Sequence, residues 1–217
     1  MPPRQALSGL DRVLSSLDHG LRTLFGRPSA GRASPANQQT KPDAPALSPQ
    51  DAQLSSALMR VNHVGEICAQ ALYQSQSLVC RDPKLRRHFE QAARDELDHL
   101  AWTQQRLDDL GGRRSYLTPL WYGGAFGIGC LAGLAGDRIS LGFVVETERQ
   151  VEQHLASHME RLPAEDHASR AVVAQMKEEE ARHADEALAA GAQLLPAPIK
   201  SAMRLSAKVM TRTAHYI

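Results

Sequence analysis

The sequence is short of cysteine. Its three cysteines, Cys68, Cys80 and Cys130, are scattered along 217 residues and form no Cys-x-x-Cys pair. An odd number of cysteines without paired spacing indicates neither a disulfide framework nor a thiolate zinc site. We therefore expect a chain that folds without disulfides in a reducing compartment, on the cytoplasmic side of the membrane.

The sequence also lacks a large net charge, and it lacks the apolar run of a secretory signal peptide. The chain has 25 Lys and Arg against 24 Asp and Glu, which leaves a net charge of +1. Such a balance gives no support to a nucleic-acid-binding surface. The first residues, MPPRQALSGLDRVLSS, lack the uninterrupted apolar core of a signal peptide, so export is not expected.

Runs of alternating apolar and β-branched residues are also lacking, so no strand is predicted. Helical periodicity is present instead, bounded by proline at the starts of segments and by glycine at their ends. It predicts two similar helical hairpins, with helices near residues 51–79, 81–110, 137–161 and 167–190. A chain of this length usually forms one main domain, which we place at residues 51–217.

The first fifty residues differ from the rest of the chain. In residues 1–26, leucines in 4-3-4-3 spacing predict an amphipathic helix. This helix either docks on the core or on a partner, or it anchors the chain at a membrane surface. Residues 27–50 are rich in Pro, Ala, Ser and Gln without periodicity, which predicts a flexible linker.

Residues 117–136 join the two hairpins and contain no charged residue but six glycines. The segment is long enough to span a bilayer, although its glycines and proline make it an imperfect spanning helix. Three interpretations stay open: a segment that dips into one leaflet, a buried crossover, and a true span. After the second hairpin, residues 199–216 are predicted to form a basic amphipathic helix.

The chemistry is concentrated in two Glu-x-x-His motifs, one in the second helix of each hairpin. They are Glu96 with His99, and Glu180 with His183. Residues three apart share one face of a helix, so each pair can coordinate one ion. A single motif arises easily on a charged helix, whereas one in each hairpin is hard to attribute to chance.

Each hairpin also carries a glutamate on its first helix. Glu66 lies 30 residues before Glu96, and Glu148 lies 32 residues before Glu180. At about 1.5 Å per residue, the members of each pair lie at similar heights, roughly 20 to 26 Å from the turn of their hairpin. The sequence therefore predicts that these carboxylates meet.

One glutamate from each of two helices and Glu-x-x-His from each of two others is the ligand pattern of ferritin-like di-metal proteins. We therefore predict an all-α, ferritin-like four-helix bundle with extra amphipathic and apolar helices. Carboxylate and imidazole ligands without thiolate suit iron or manganese, and a pair of irons suits O₂ activation. The predicted ligands of two iron ions are Glu66, Glu96, His99, Glu148, Glu180 and His183.

Other residues are candidates for supporting these ligands. Asp95 and Glu179 each precede a ligand glutamate and could hydrogen-bond the histidine of the opposite hairpin, or they could simply be exposed. Spacing alone does not choose between Glu179 and Glu180 as the ligand, but analogy with the first hairpin favours Glu180. His154, on the helix of Glu148, is interpreted as a supporting or a surface histidine.

Five stretches together closely resemble the demethoxyubiquinone hydroxylase family of ubiquinone biosynthesis: RVNHVGEICAQALYQSQ, DELDHLAW, LTPLWYGGAFGIGCLAG, SLGFVVETERQVEQHL and EEEARHA. The resemblance covers roughly residues 50–217. It implies a ferritin-like di-iron monooxygenase that uses O₂ to hydroxylate the ring of 3-methyl-6-methoxy-2-polyprenyl-1,4-benzoquinol. By the same resemblance, the six predicted ligands correspond to the family's iron ligands.

The resemblance also implies partners. They are the polyprenyl benzoquinol and membrane lipid, and no nucleic acid is expected. Other ubiquinone-biosynthesis proteins and a second copy of the chain are candidate partners, and the oligomeric state is left open. The chain is then expected as a peripheral protein on the cytoplasmic face of the cell membrane. The electron donor is left open, with NADH as a candidate. Since no nucleotide-binding fingerprint follows a predicted strand, NADH would have to bind elsewhere or act through a partner.

Two alternatives to this function remain. The first is another ferritin-like di-iron protein, for iron storage or as a rubrerythrin-like peroxidase. The uncharged crossover and the basic last helix disfavour storage, and the lack of a Cys-x-x-Cys pair disfavours a rubrerythrin. The second is a metal-free, membrane-bound helical module that binds lipid, which a measurement of iron content would separate from the rest.

Overall fold

The computed structural model describes residues 9–39 and 46–217, so parts of the predicted first helix and linker, residues 1–8 and 40–45, lie outside it. The described residues form seven α-helices and one short 3₁₀ helix and contain no strand. The helices are α1 (Gly9–Phe25), the 3₁₀ helix (Pro35–Gln38), α2 (Pro49–Val79), α3 (Pro83–Asp109), α4 (Thr118–Leu134), α5 (Asp137–Arg161), α6 (His167–Ala189) and α7 (Ala197–Tyr216). The all-α prediction is confirmed.

The helix ends lie where local chemistry places them. The Ser48 hydroxyl accepts the backbone N–H of Asp51 and caps α2. Asp166 caps α6 in the same way. Beyond α3 and α6, Gly111 and Gly191 adopt φ values of 63° and 101°, the left-handed conformation that ends a helix. These signals are local, which is why the sequence predicted the boundaries closely.

Helices α2, α3, α5 and α6 form the bundle as two packed hairpins, α2 with α3 and α5 with α6. This confirms the ferritin-like architecture. Two apolar clusters fill the bundle. One contains Leu58, Met59, Trp102, Leu155 and Met176, and the other contains Phe89, Leu141, Val144, Val145 and Ala187. On every helix the predicted ligands lie between residues of the two clusters, so apolar packing encloses them from both sides.

Helix α4 lies along α2 and buries only one of its faces. A Cβ atom at Gly129 would lie 2.0 Å from Ser75 Oγ, and one at Gly133 would lie 2.3 Å from a methyl carbon of Val79. Only glycine allows this close approach. On the other face, large residues such as Leu131 are exposed, so the segment is not buried as a whole. None of the helices in the described ranges is both long enough and apolar enough to cross a bilayer.

Helix α1 packs against α2 and α4 with its polar face. Gly20 lies against the ring of Tyr122 of α4, and Arg12 donates a hydrogen bond of 2.5 Å to the carbonyl of Leu78 at the end of α2. Four of the five leucines that predicted the helix face outward, since Leu10, Leu14, Leu17 and Leu21 are all more than half exposed. Only the last leucine of the stripe, Leu24, packs on the core of this chain, against the cluster that contains Tyr122.

Residues 27–39, which composition assigns to a linker, pack against α3 and α6 instead. Ala36 is buried in the same apolar cluster as Trp102. Arg27 forms an ion pair of 2.5 Å with Asp108. Small and polar side chains here find partners far along the chain, and composition carries no signal of such contacts.

Helix α7 closes the side of the bundle next to α2 and α5. Arg60 of α2 donates hydrogen bonds of 2.9 and 3.0 Å to the carbonyls of Ala214 and His215, which lie in the last turn of α7. Lys200, in the first turn, pairs with Glu146 of α5 at 3.1 Å. Both ends of this basic helix are thus fixed to the bundle.

Candidate metal centre

The six predicted ligands lie near the middle of the four bundle helices, and all are buried. Glu66 is on α2, Glu96 and His99 are on α3, Glu148 is on α5, and Glu180 and His183 are on α6, with none more than 4% exposed. Ligand atoms of four of them lie within 4.8 Å of one another: Glu66, Glu96, His99 and Glu180. Carboxylates from both hairpins and the imidazole of His99 therefore meet in one group that could hold a metal ion.

In both Glu-x-x-His motifs, Nδ1 of the histidine faces the carboxylates of Glu96 and Glu180. Nδ1 of His99 lies 3.0 Å from a carboxylate oxygen of Glu96 and 3.2 Å from one of Glu180. Nδ1 of His183 lies 2.9 Å from Glu96 and 3.4 Å from Glu180. Glu96 and Glu180 therefore lie between the two imidazoles.

The remaining two glutamates approach from the first helix of each hairpin. Oε2 of Glu66 lies 3.8 Å from Nδ1 of His99 and has no hydrogen-bond partner. Oε1 of Glu148 accepts a hydrogen bond of 2.5 Å from the hydroxyl of Tyr73. Sequence reasoning missed Tyr73, although it follows Glu66 by seven residues, two turns along the same face of α2.

Burial and mutual repulsion dominate the electrostatics of the cluster. Burial raises the pKa of Glu66 well above its usual value, and the neighbouring Glu96 adds to the rise. Burial and Glu180 act on the pKa of Glu148 in the same way. Burial lowers the pKa of His183, but its hydrogen bonds to Glu180 and Glu96 outweigh that effect and raise it to about 11. The cluster therefore retains protons that bound cations would displace.

The residues fit a two-metal carboxylate centre on chemical grounds. Four carboxylates and two imidazoles without a thiolate form a donor set suited to iron or manganese. A buried carboxylate oxygen with no donor, such as Oε2 of Glu66, is costly unless a cation satisfies it. Bound metal ions would remove this cost and the repulsion between carboxylates together.

The structure separates the two residues predicted to support the ligands. Oε2 of Glu179 lies 2.8 Å from Nε2 of His99 on the opposite hairpin. Asp95 makes no such contact with His183. It is half-buried and accepts a hydrogen bond of 2.9 Å from Gln91, one turn earlier on its own helix. Asp95 also lines a cavity of about 30 Å³ together with His183. A supporting role for Asp95 therefore stays a prediction.

His154 is also turned away from the six-residue cluster. Its ring lies 4.0 Å from that of His158, and its Nε2 has no hydrogen-bond partner. Burial lowers its pKa to about 4, and Arg161 adds to the effect. Its neighbours include His158 and Arg161 in the last turns of α5, and no hydrogen bond or ion pair joins it to the predicted ligands.

Comparison with known proteins agrees with this geometry. The family model described as "Ubiquinone biosynthesis protein COQ7" matches residues 53–214. A 3-demethoxyubiquinol 3-hydroxylase of Polaromonas sp. strain JS666 is 63% identical over 96% of this chain and 98% of its own. Enzymes of the same name from Polaromonas naphthalenivorans and Verminephrobacter eiseniae are 60% and 56% identical, each over 97% of this chain and at least 99% of their own. The chain therefore belongs to the COQ7 family of ubiquinone biosynthesis proteins.

Proposed function

We propose that this chain is an O₂-dependent di-iron monooxygenase of ubiquinone biosynthesis. Its substrate would be 3-methyl-6-methoxy-2-polyprenyl-1,4-benzoquinol, or demethoxyubiquinol, hydroxylated on the ring. One observation carries the proposal: the carboxylates and imidazoles of two Glu-x-x-His motifs meet at the buried centre of the bundle. The name and the near full-length similarity of the Polaromonas relative supply the substrate class.

We infer that each hairpin supplies one glutamate and one Glu-x-x-His motif to the two metals. Glu96 and Glu180, each of which lies near both imidazoles, would hold the ions together with His99 and His183. Two bound irons would supply the reduction of O₂, by which one oxygen atom enters the ring and the other leaves as water. The electrons that reduce the second oxygen atom to water would come from a donor outside the cluster, and NADH remains a candidate.

Tyr73 has a defined role in this proposal. Burial and the charge of Glu148 raise the pKa of Tyr73 well above its usual value, so the hydroxyl stays protonated and donates a hydrogen bond to Glu148. The hydrogen bond restrains one oxygen of the carboxylate and leaves the other free to coordinate. The apolar residues around it, Phe89 and Val145 among them, keep water from the centre.

A cavity beside Glu148 offers the substrate a route to the centre. A cavity of about 10 Å³ lies between α2 and α5 and is lined by Leu72, Tyr73, Phe143 and Glu148, among others. It holds about one water, so a quinol ring enters only if these side chains move. Gly129 of α4 packs directly on Leu72. Helix α4 thus packs on a residue that lines the cavity, and we propose that the quinol arrives from that side.

A polyprenyl tail requires that this side face lipid. Helices α1 and α4 are neighbours, and each exposes large apolar residues: Leu10, Leu14, Leu17, Leu21 and Phe25 on α1, and Leu120, Leu131 and Leu134 on α4. Exposed apolar helical faces of this kind bind a membrane interface. We propose peripheral attachment to the cytoplasmic face of the cell membrane, where Lys208 and Arg212 of α7 are exposed to anionic lipid.

The deciding experiment is aerobic turnover of a demethoxyubiquinol with a short prenyl tail by the iron-loaded protein and a reductant. We expect a product that is heavier by one oxygen atom, and that atom carries the label when isotopically labelled O₂ is used. We expect about two irons per chain, which separates this enzyme from an iron store and from a metal-free lipid-binding module. An iron-loaded, folded protein that leaves the quinol unchanged would refute the proposal.

A further inference from the structure

Arg32 belongs to the segment of residues 27–39, outside the bundle, yet it joins two bundle helices. Its two Nη atoms donate to the two carboxylate oxygens of Glu179 at 2.6 and 2.8 Å. Its Nε donates to Oδ2 of Asp98 at 2.5 Å. Because Asp98 is on α3 and Glu179 is on α6, one guanidinium connects the two helices that carry the Glu-x-x-His motifs.

Glu179 extends this connection to the metal centre. Its Oε2 lies 2.8 Å from Nε2 of His99, whose Nδ1 lies 3.0 Å from Glu96. Metal-binding histidines are oriented by an acceptor on the far ring nitrogen. Both oxygens of Glu179 also accept hydrogen bonds from Arg32, so this carboxylate accepts a hydrogen bond from the ring N–H of His99.

The backbone around Arg32 is held as firmly as its side chain. The N–H of Gly31 donates to Oδ1 of Asp98 at 2.6 Å, and Nε1 of Trp102 donates to the carbonyl of Arg32 at 3.3 Å. The guanidinium lies 4.9 Å from the centre of the Trp102 ring, which in turn lies 5.5 Å from the ring of His99. Arg32 thus has contacts on several sides, and both of its carboxylate partners are buried.

We propose that Arg32 is a positioning residue of the metal centre, which holds Glu179 in the orientation that fixes His99. Residues 27–39 then contribute a supporting residue to the metal centre, in addition to connecting α1 to α2. This inference rests on the proposed function, because it requires His99 to bind metal. A forked guanidinium bonds two carboxylates at once, which neither glutamine nor lysine reproduces.

The test is an anaerobic titration of the full-length protein with Co²⁺, followed by its visible absorption. Arg32→Gln removes the fork, and Arg32→Lys keeps the charge without the bidentate geometry. Arg27→Gln is the matched control, since Arg27 lies in the same segment but pairs with Asp108 at the surface. Thermal unfolding followed by circular dichroism establishes that each variant is folded.

We expect the wild type and Arg27→Gln to bind two ions with the same spectrum. In Arg32→Gln, one of the two ions should bind about 10–100-fold more weakly and with altered absorption bands, as for other lost supports of a metal ligand. Arg32→Lys should be intermediate. If Arg32→Gln does not fold, Arg32→Lys decides the question by the same comparison.

A double variant tests the route through Glu179. If Arg32 acts on His99 through Glu179, Arg32→Gln should have no further effect in a Glu179→Gln background, whereas independent effects would add. Additive losses would overturn this route, and an Arg32→Gln titration identical to that of the wild type would overturn the inference alone. A wild-type protein that binds no cobalt and no iron would overturn the proposed function and this inference together.

Discussion

Three adjacent carboxylates on α6 have three different environments. Glu180 lies in the buried cluster beside both imidazoles. Glu179 is turned toward Nε2 of His99, and Glu178 is exposed. Successive helical residues point about 100° apart, so a shift of one position changes the chemistry completely. Spacing left Glu179 and Glu180 as alternatives, and their contacts now distinguish them.

Substitution of these three residues should give three different results. Glu180→Gln should lose iron at one position and abolish hydroxylation. Glu179→Gln should still take up two irons when iron is saturating, but with roughly 10–100-fold lower activity because His99 loses its support. Glu178→Gln is the control and should match the wild type. Iron analysis and turnover measure this, and a Glu179 variant that loses iron while the Glu180 variant keeps it would reverse the assignment.

The hydroxyl of Tyr73 provides a second prediction for a single residue. Tyr73→Phe removes the donor to Glu148 and leaves a buried carboxylate oxygen without it, so we expect lower turnover with both irons retained. Tyr122→Phe is the control, because it removes a similar buried hydrogen bond, of 2.7 Å, to Gln74. Both variants should lose about 1 kcal/mol of stability. Equal turnover in the two variants would show that Tyr73 has only a structural role.

Among the helices, α4 combines two roles on opposite faces. Its glycines allow close packing on α2, a helix that lines the cavity reaching Glu148, while its leucines are exposed. A helix that is fixed to the bundle on one side and apolar on the other can hold the bundle at a lipid interface without crossing it. This arrangement would place the substrate route at the membrane surface.

Changing Leu120, Leu131 and Leu134 together to serine should release the protein from lipid vesicles. Wild-type binding should persist at high salt, because apolar burial is insensitive to screening. Each fully buried leucine contributes about 1.5–3 kcal/mol, so each substitution should weaken binding by roughly tenfold or more. Leu188→Ser, at an exposed leucine of α6, is the control. Vesicle flotation measures binding, and recovery of all wild-type protein in the salt-washed soluble fraction would contradict the prediction.

At the scale of the whole molecule, the metal centre links the two hairpins. Ligands from α2 and α3 meet those from α5 and α6, so bound ions would join the halves of the bundle. Ions that bind only the folded state stabilise it, by about 2.7 kcal/mol for each site at a concentration 100-fold above Kd. For a chain of this length, each kcal/mol raises Tm by roughly 2–4 °C.

We therefore expect anaerobic ferrous iron to raise Tm, and we expect the rise to shrink as the pH falls. The raised pKa values of Glu66, Glu148 and His183 mean that cations must displace protons, and that competition strengthens in acid. His183, with a pKa of about 11, stays protonated across the neutral range, so iron affinity should increase with pH throughout it. Calorimetry at several pH values measures this. A pH-independent shift in Tm would contradict it.

Much of this protein was predictable from its sequence because the relevant signals are local. Helix boundaries follow from a capping serine and from glycines beyond the helices, as at Ser48 and Gly191. The meeting of Glu96 with His99 follows from a spacing of three residues on one helix. Hairpins of similar length then bring four helices to one level, so the six candidate ligands could be named without coordinates.

Other features were decided only by the tertiary structure. Arg32 and Glu179 are 147 residues apart, Tyr73 and Glu148 are 75 apart, and no periodicity connects either pair. The outward direction of four of the five leucines on α1 likewise depends on which face packs against α2 and α4. The sequence by itself determined the helices and their ligand motifs, since these depend on near neighbours. Which side chains support the ligands depends on contacts between distant segments, and these exist only once the chain is folded.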